Sequence, residues 1–99
     1  MKAAEIPLRT LESSIEVLRL SKEVAKYGTT NALSDVTTSM AAARAAMEGA
    51  ASNVLINLDT LDDKPYVDQA RSRVSELRKE GLQLEQRIQE MVVSRSRKK

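Results

Sequence analysis

The central stretch of the chain, residues 28–58, carries almost no charge. Its only ionisable residues are Asp35, Arg44 and Glu48, although 30% of the whole sequence is charged. Alanine dominates its middle, and alanine is the strongest helix former. Small side chains on nearly every side also allow neighbouring backbones to approach closely. We therefore expect a central helix that ends near residue 58 and is surrounded by other helices.

Apolar residues recur at helical spacing on both sides of this stretch, which predicts two further helices over residues 3–27 and about 64–93. Aromatic residues make up only 2% of the chain, so the core must be aliphatic. The first helix carries two apolar stripes, which are Leu8, Leu11, Ile15, Leu18, Ala25 and Val17, Leu20, Val24, Tyr27. The third keeps a heptad seam of Val67, Ala70, Val74, Leu77, Gly81, Leu84, Ile88 and Met91. The sequence predicts an all-α fold, an antiparallel bundle of three long helices.

Turn and capping residues separate the predicted helices. Gly28 is expected to end the first helix in a left-handed conformation. Asn31 or Ser34 is expected to cap the start of the second helix through its side-chain oxygen. Asp62 or Asp63 is the expected cap of the third helix.

Two apolar stripes on one helix and small residues around another leave more apolar surface than three helices can cover. Large exposed apolar patches mark interfaces. We expect a homodimer or a larger homo-oligomer that completes the core, with the second and third helices in the interface. The predicted domain covers residues 1–94, and residues 95–99 form a basic, disordered tail.

Composition excludes several classes of function. The chain has neither cysteine nor histidine, so it lacks disulfides, thiolate metal sites and the usual catalytic triads. A net charge of +2 does not call for nucleic-acid binding. No apolar run approaches the ~20 residues of a membrane span, and the N-terminus does not resemble a signal peptide. We expect no metal, no cofactor, no membrane and a cytoplasmic location.

Polar residues at the two ends of the central stretch are the candidate site residues. Asp35, in the first helical turn, either stabilises the helix dipole or lines a pocket. Asn53 and Asn57 lie four residues apart on one helical face. They either tie the helix to a neighbour through hydrogen bonds or contact a ligand.

Several short motifs occur together and in order. They are Ile-Pro-Leu at 6–8, the turn with Gly28, Asn31 and Ser34-Asp35, the alanine run, and Asn-Val-Leu-Ile-Asn-Leu-Asp-Thr-Leu-Asp-Asp at 53–63. In this combination the chain resembles the formiminotetrahydrofolate cyclodeaminase and methenyltetrahydrofolate cyclohydrolase family. The resemblance covers most of residues 3–63 and corresponds to the C-terminal half of the family's helical domain. The family's glycine-rich Pro-Gly-Gly-Gly-Ser motif is absent, and Thr29 replaces a common asparagine.

The resemblance implies a dimerising helical domain that handles one-carbon tetrahydrofolates, with a tetrahydrofolate derivative as substrate. The implied reactions are amidine cyclisation with release of ammonia and hydrolysis of a methenyl bridge. By resemblance, Asp35 is the catalytic carboxylate. Asn31, Asn53 and Asn57 are the implied ligand-binding residues, of which Asn31 orients the turn.

Two interpretations of function stay open. In the first, the chain is a cyclodeaminase or cyclohydrolase that is active only when an oligomer or a partner completes its site. In the second, it is a non-catalytic, oligomeric helical module that keeps the family's packing motifs without its chemistry. The absent glycine-rich motif favours the second interpretation.

Overall fold

The computed structural model describes residues 4–97 as an elongated helical bundle of 57 × 17 × 16 Å. Its helices are α1 (Glu5–Tyr27), α2 (Leu33–Leu58) and α3 (Lys64–Arg97), with a short 3₁₀ turn (Thr30–Ala32) before α2. Tight connections make consecutive helices antiparallel. The predicted all-α bundle is confirmed. The expected first helical residue, Ala3, lies outside the described residues.

One aliphatic seam from each helix forms the core. The predicted seam of α3 is buried over its central positions, whereas Val67 and Met91 at its ends are only half-buried. The first predicted stripe of α1 is likewise buried from Leu11 to Ala25, whereas Leu8 is half-buried. The largest side chains with almost no exposure are Leu11, Ile15, Leu18, Met47, Val54, Leu58, Leu77 and Ile88. Within the described part of the chain, no helix is long and apolar enough to cross a bilayer.

The turn between α1 and α2 is built differently from the prediction. Gly28 is extended, with φ −71° and ψ 168°, so the expected left-handed conformation is wrong. A Cβ atom at this position would lie 2.6 Å from the carbonyl oxygen of Val24. Glycine is therefore favoured by close approach to the last turn of α1, whose Val24 carbonyl accepts the Gly28 N–H at 2.7 Å.

The start of α2 has no side-chain cap. The expectation that Asn31 or Ser34 caps it is wrong, because the 3₁₀ turn runs directly into the helix. The N–H groups of Ala32 and Leu33 donate to the carbonyls of Thr29 and Thr30. Backbone bonds thus replace the side-chain cap that an isolated helix start requires.

The start of α3 matches its prediction. The Asp63 carboxylate accepts the backbone N–H of Tyr66 at 3.2 Å, as an N-cap does. At the other end, α3 continues to Arg97, beyond the expected boundary. Arg95 donates from Nη1 to the carbonyl oxygen of Ala25 at 3.0 Å and so joins α3 to the last turn of α1. The part of the expected disordered tail at 95–97 is therefore helical, and Lys98 and Lys99 lie outside the described residues.

Ion pairs cross two of the three grooves between the helices. Both other helices are tied to α3 in this way, through Arg19–Glu80 and Arg73–Glu12 from α1 and through Arg44–Glu85 and Arg78–Glu48 from α2. Among the described residues no ion pair joins α1 to α2. The groove between those two helices is the bare one.

The alanines of α2 are not covered within this chain. Ala41, Ala42, Ala45 and Ala46 are exposed, as is Gly49. By contrast, the apolar seam of α3 packs on the chain's own α1 and α2. The expectation that α2 is surrounded is therefore not met by one chain alone. Besides these alanines, the exposed aliphatic residues Val17, Leu20 and Val24 of α1 are free for a contact. The expected interface through the second and third helices stays a prediction.

Two glycines give a test of this packing. A Cβ on Gly49 would meet nothing within 4 Å, whereas one on Gly81 would collide with the ends of Met47 and Ile15. Both side chains are fully buried and have no solvent to move into. We expect Gly49→Ala to raise the free energy of unfolding of the single chain by about 1 kcal/mol through helix propensity. The free energy of unfolding of Gly81→Ala should be at least about 1 kcal/mol lower than that of Gly49→Ala, because the added methyl group overpacks the core. Urea unfolding of both variants measures this, and equal stabilities would contradict the packing of Gly81.

The ion pairs predict how stability changes in acid. Hydrogen bonds from Arg78 hold the pKa of the Glu48 carboxyl below its usual value. Stability from this pair is therefore complete above the unfolded-state pKa and is lost as pH falls through the lower folded-state pKa. Glu48→Gln should cost less than about 1 kcal/mol at pH 7, because the pair is partly solvated. The difference from wild type should vanish in acid.

Urea unfolding from pH 7 downwards checks this expectation. Glu90→Gln is the control, because Glu90 is exposed and forms no ion pair with the described residues. A deficit of Glu48→Gln that is unchanged in acid would show that the pair contributes nothing to the pH dependence.

Candidate functional site

Asp35 lies in an open groove between the C-terminal half of α1 and the first turns of α2. The groove has a volume of about 400 Å³. We call it the Asp35 groove; its lining residues are Val17, Leu20, Ser21, Val24, Ala32, Asp35, Val36 and Ser39. The second apolar stripe of α1, which the sequence identified, thus forms one wall of this groove. Leu20, 60% exposed, is the most accessible of these apolar residues.

The Asp35 carboxylate is exposed and makes no hydrogen bond or ion pair with the rest of the described chain. Its place in the first turn of α2 puts it in the positive end of the helix dipole. A charge held on a helix, beside apolar side chains and without a partner, is available to a cation. The geometry is thus compatible with both the dipole role and the pocket role of Asp35.

Two serines that sequence reasoning did not single out lie in the same groove. The hydroxyls of Ser21 and Ser39 are 3.0 Å apart and join α1 to α2. Ser21 is buried, whereas Ser39 is half-buried. Ser21 occupies a core-facing position of α1 seven residues after the buried Ser14, and this polar interruption of an apolar stripe was the available signal. The groove therefore offers one carboxylate and two hydroxyls.

The four predicted site residues are not brought together within one chain. Asn31 is exposed in the 3₁₀ turn, at the same end of the bundle as Asp35. Asn53 lies eighteen positions after Asp35 in the same helix. At 1.5 Å per residue, about 27 Å separates them along the axis of α2. One folate-sized ligand on one chain cannot bridge that distance through adjacent contacts.

Asn53 and Asn57 bond to each other and not to a neighbouring helix. Asn57 Nδ2 donates to the carbonyl oxygen of Asn53 at 2.8 Å and to its Oδ1 at 3.3 Å. The structural role considered for this pair, tying α2 to another helix, is not seen. Asn53 lines a second, smaller groove of about 210 Å³ with Ile6, Pro7, Thr10, Gly49 and Ala50.

The two grooves are the ends of one continuous surface. Exposed and half-buried residues repeat along it with alternating spacings of four and three on both helices. Of its fourteen residues, only Asp35 is charged. We call this surface the α1–α2 face; its members are Ile6, Thr10, Ser13, Val17, Leu20, Val24, Tyr27 of α1 and Asp35, Ser39, Ala42, Ala46, Gly49, Asn53, Ile56 of α2.

A larger cavity of about 870 Å³ lies between the ends of α1 and α3 and holds none of the predicted site residues. Long polar side chains line most of it, among them Lys26, Arg87 and Glu90.

Carboxylates do not gather elsewhere either. No group of three or more metal-binding side chains occurs in residues 4–97.

Comparison with known proteins identifies the family. The family model described as formiminotransferase-cyclodeaminase matches residues 1–76. A methenyltetrahydrofolate cyclohydrolase of Methylorubrum extorquens is 32% identical over 93 residues, which cover 94% of this chain and 45% of that protein. A formimidoyltransferase-cyclodeaminase of Rattus norvegicus is 32% identical over 80 residues, which cover 81% of this chain and 15% of that protein.

The chain thus spans about half the length, or less, of the curated relatives it matches. The match extends over the helices that form the Asp35 groove and the α1–α2 face. It agrees with the resemblance carried by the motifs from Ile6 to Leu58. The chain belongs to the formiminotransferase-cyclodeaminase family.

Proposed function

We propose that the chain is a half-domain of a one-carbon tetrahydrofolate enzyme, in which Asp35 is the catalytic carboxylate. The observation that supports this most is an unpaired carboxylate on an apolar groove, in a chain of this family. The names of the two relatives point to cyclodeamination and to cyclohydrolysis as reactions. We also propose that the protein is cytoplasmic and that its substrate is a tetrahydrofolate derivative.

Both reactions pass through a carbon bonded to two nitrogens that together carry positive charge. In cyclisation, a second folate nitrogen bonds to the formimino carbon, the bond from that carbon to the departing nitrogen breaks, and the proton of the attacking nitrogen goes to the ammonia that leaves. In hydrolysis, water oxygen bonds to the methenyl carbon and one carbon–nitrogen bond breaks. One proton of the water goes to the released nitrogen and the other to solvent.

Asp35 suits either reaction for the same physical reason. A fixed carboxylate stabilises a developing cation, and it can hold the proton that moves between nitrogen and water. Apolar walls such as Leu20 and Val24 can face the flat ring of the substrate, and the hydroxyl of Ser39 can donate to a ring heteroatom. Asn31 lies near enough along the chain to orient the turn beside Asp35.

The groove of one chain is incomplete for this chemistry. It is open to solvent, and Asn53 and Asn57 lie at the far end of α2. Activity is therefore proposed only for an oligomer or for a complex that closes the groove. Closure strengthens the attraction between a carboxylate and a cation because it removes water from between them.

A second function, a non-catalytic oligomeric helical module, is favoured by one specific observation. The α1–α2 face is almost wholly uncharged and consists mainly of small or aliphatic residues. Such a surface suits helix packing better than the recognition of a polar ligand. On this alternative Asp35 acts only on the helix dipole, and Asp35→Asn changes stability by at most about 1 kcal/mol.

Ligand binding separates the two functions. Calorimetry with 5,10-methenyltetrahydrofolate should give a binding signal for the wild-type chain. Asp35→Ala should weaken binding about 10- to 100-fold, the effect of one lost contact to a charged group. Loss of the methenyl chromophore over time gives an independent readout of hydrolysis.

Asp62→Asn is the matched control, because Asp62 is exposed and unpaired among the described residues. It lies in the turn before α3, far from the groove, and should bind like the wild type. Absence of heat at millimolar ligand would reject the folate function for the chain and its homo-oligomer. Equal binding by Asp35→Ala and wild type would reject Asp35 as the catalytic residue.

A further inference from the structure

We propose that a second copy of this chain covers the α1–α2 face in an antiparallel, two-fold arrangement that brings its Asn53 to Asp35. This extends the proposed function, because each groove then receives residues from both chains. The first support is the charge pattern. Ion pairs bridge the grooves between α3 and the other two helices, whereas the α1–α2 face has a single charge. A surface that avoids charge over its whole length suits burial.

The spacing on α2 is symmetric about its own midpoint. Residue 44 is the midpoint of three pairs of residues. The pairs are Asp35 with Asn53, Ser39 with Gly49, and Ala42 with Ala46. A two-fold axis perpendicular to the helix at that level therefore places the two members of each pair, one from each copy, against each other. Small residues meet at the centre, where two backbones must approach most closely.

The spacing on α1 has the same symmetry. Thr10 and Leu20 lie equally far from residue 15, as do Ile6 and Val24. The grooves show that residues 17–24 of α1 lie beside residues 32–39 of α2, and residues 6–10 beside 49–53. The two midpoints consequently lie at nearly the same level, so that one axis relates both helices to their copies. A second copy of the chain therefore matches this face in spacing, in level and in its lack of charge.

The empty space beside Gly49 is evidence for a close neighbour from outside the chain. A helical glycine normally lowers helix stability, and Gly81 has a packing reason because its Cβ would strike Met47. Nothing in this chain occupies the space beside Gly49. On the proposed axis Gly49 receives Ser39 of the second copy.

The polar groups at the ends of the face are complementary. The Nδ2 atom of Asn57 donates a hydrogen bond to Oδ1 of Asn53, whereas the Nδ2 atom of Asn53 has no acceptor among the described residues. The Asp35 carboxylate has no donor there. Pairing Nδ2 of one chain with the carboxylate of the other satisfies both groups, and the two Asp35 charges stay far apart at opposite ends.

Size agrees with a stable dimer. The face is about 30 Å long and two helices wide, or about 600 Å² in footprint. Stable interfaces bury about 800 Å² of accessible surface on each partner, which a ridged helical surface of that footprint supplies.

The oligomeric state of the full chain tests the surface. Sedimentation velocity should show a dimer for the wild type at micromolar concentration. Val24→Glu should weaken dimerisation by about 100-fold or more, because it places an unpaired charge in the interface. Val93→Glu is the matched control, since Val24 and Val93 are 43% and 49% exposed and only Val24 lies on the face.

Circular dichroism verifies that both variants keep their helix content, and Ala46→Glu replaces Val24→Glu if that variant unfolds. A monomeric wild type, or equal masses for the two valine variants, would overturn the proposal. The masses do not depend on folate, so a failure of ligand binding and a failure of this dimer are distinguishable.

Cross-linking tests the orientation, since the chain has no cysteine of its own. Chains with Asp35→Cys are mixed with chains with Asn53→Cys under mild oxidation. A disulfide requires Cα atoms within about 7 Å, which the antiparallel dimer provides only between the two different variants. Each variant alone should stay uncross-linked, because its two thiols lie about 27 Å apart. No mixed disulfide above the level of Asp35→Cys mixed with Ser75→Cys would overturn the antiparallel arrangement.

Discussion

Burial of a narrow aliphatic seam is the interaction on which this fold depends. With no phenylalanine or tryptophan, the core is made of leucine, isoleucine, valine, methionine and alanine. Such side chains fill little volume, so the helices must lie close together, and Gly81 of α3 fits against Met47 and Ile15. A seam of this width covers one side of each helix. The rest of α2 is therefore left to whatever lies outside the chain.

Charge is distributed in agreement with that division. Arginine–glutamate pairs join α3 to α1 and to α2, and the Arg78 guanidinium contacts both oxygens of the Glu48 carboxylate. These pairs are partly solvated and contribute modestly to stability. Their larger effect is on specificity, because they fix the register of α3. The α1–α2 face lacks them, so its register can be set by a second apolar surface.

Much of the fold follows from the sequence because helical periodicity and capping are local properties. The heptad seam of α3, the first stripe of α1 and the Asp63 cap depend on residues within a few turns of one another. The predictions for the conformation of Gly28 and for the cap of α2 were wrong, because backbone contacts across a turn determine both. The alanines of α2 were expected to be covered, and composition alone does not tell which chain supplies the cover.

The candidate site shows the same limit more sharply. Sequence spacing places Asp35 and Asn53 on one face of a helix, but it does not show that about 27 Å of helix lies between them. In a single chain that distance separates the proposed catalytic carboxylate from an amide that is proposed to bind the same ligand. The proposed antiparallel neighbour would reverse the direction of one α2 and remove the separation without any change in either chain.

Closure of the face also bears on chemistry. Water beside Asp35 weakens its attraction for a cation, and apolar walls from two chains would exclude that water. On the proposed function, a half-domain with an open groove has little activity alone, whereas the proposed dimer would hold the carboxylate against the cationic carbon. The uncharged face and the lone carboxylate are thus compatible requirements. The uncharged face would let two chains associate, and the loss of water on association would strengthen the attraction of the Asp35 carboxylate for a cation.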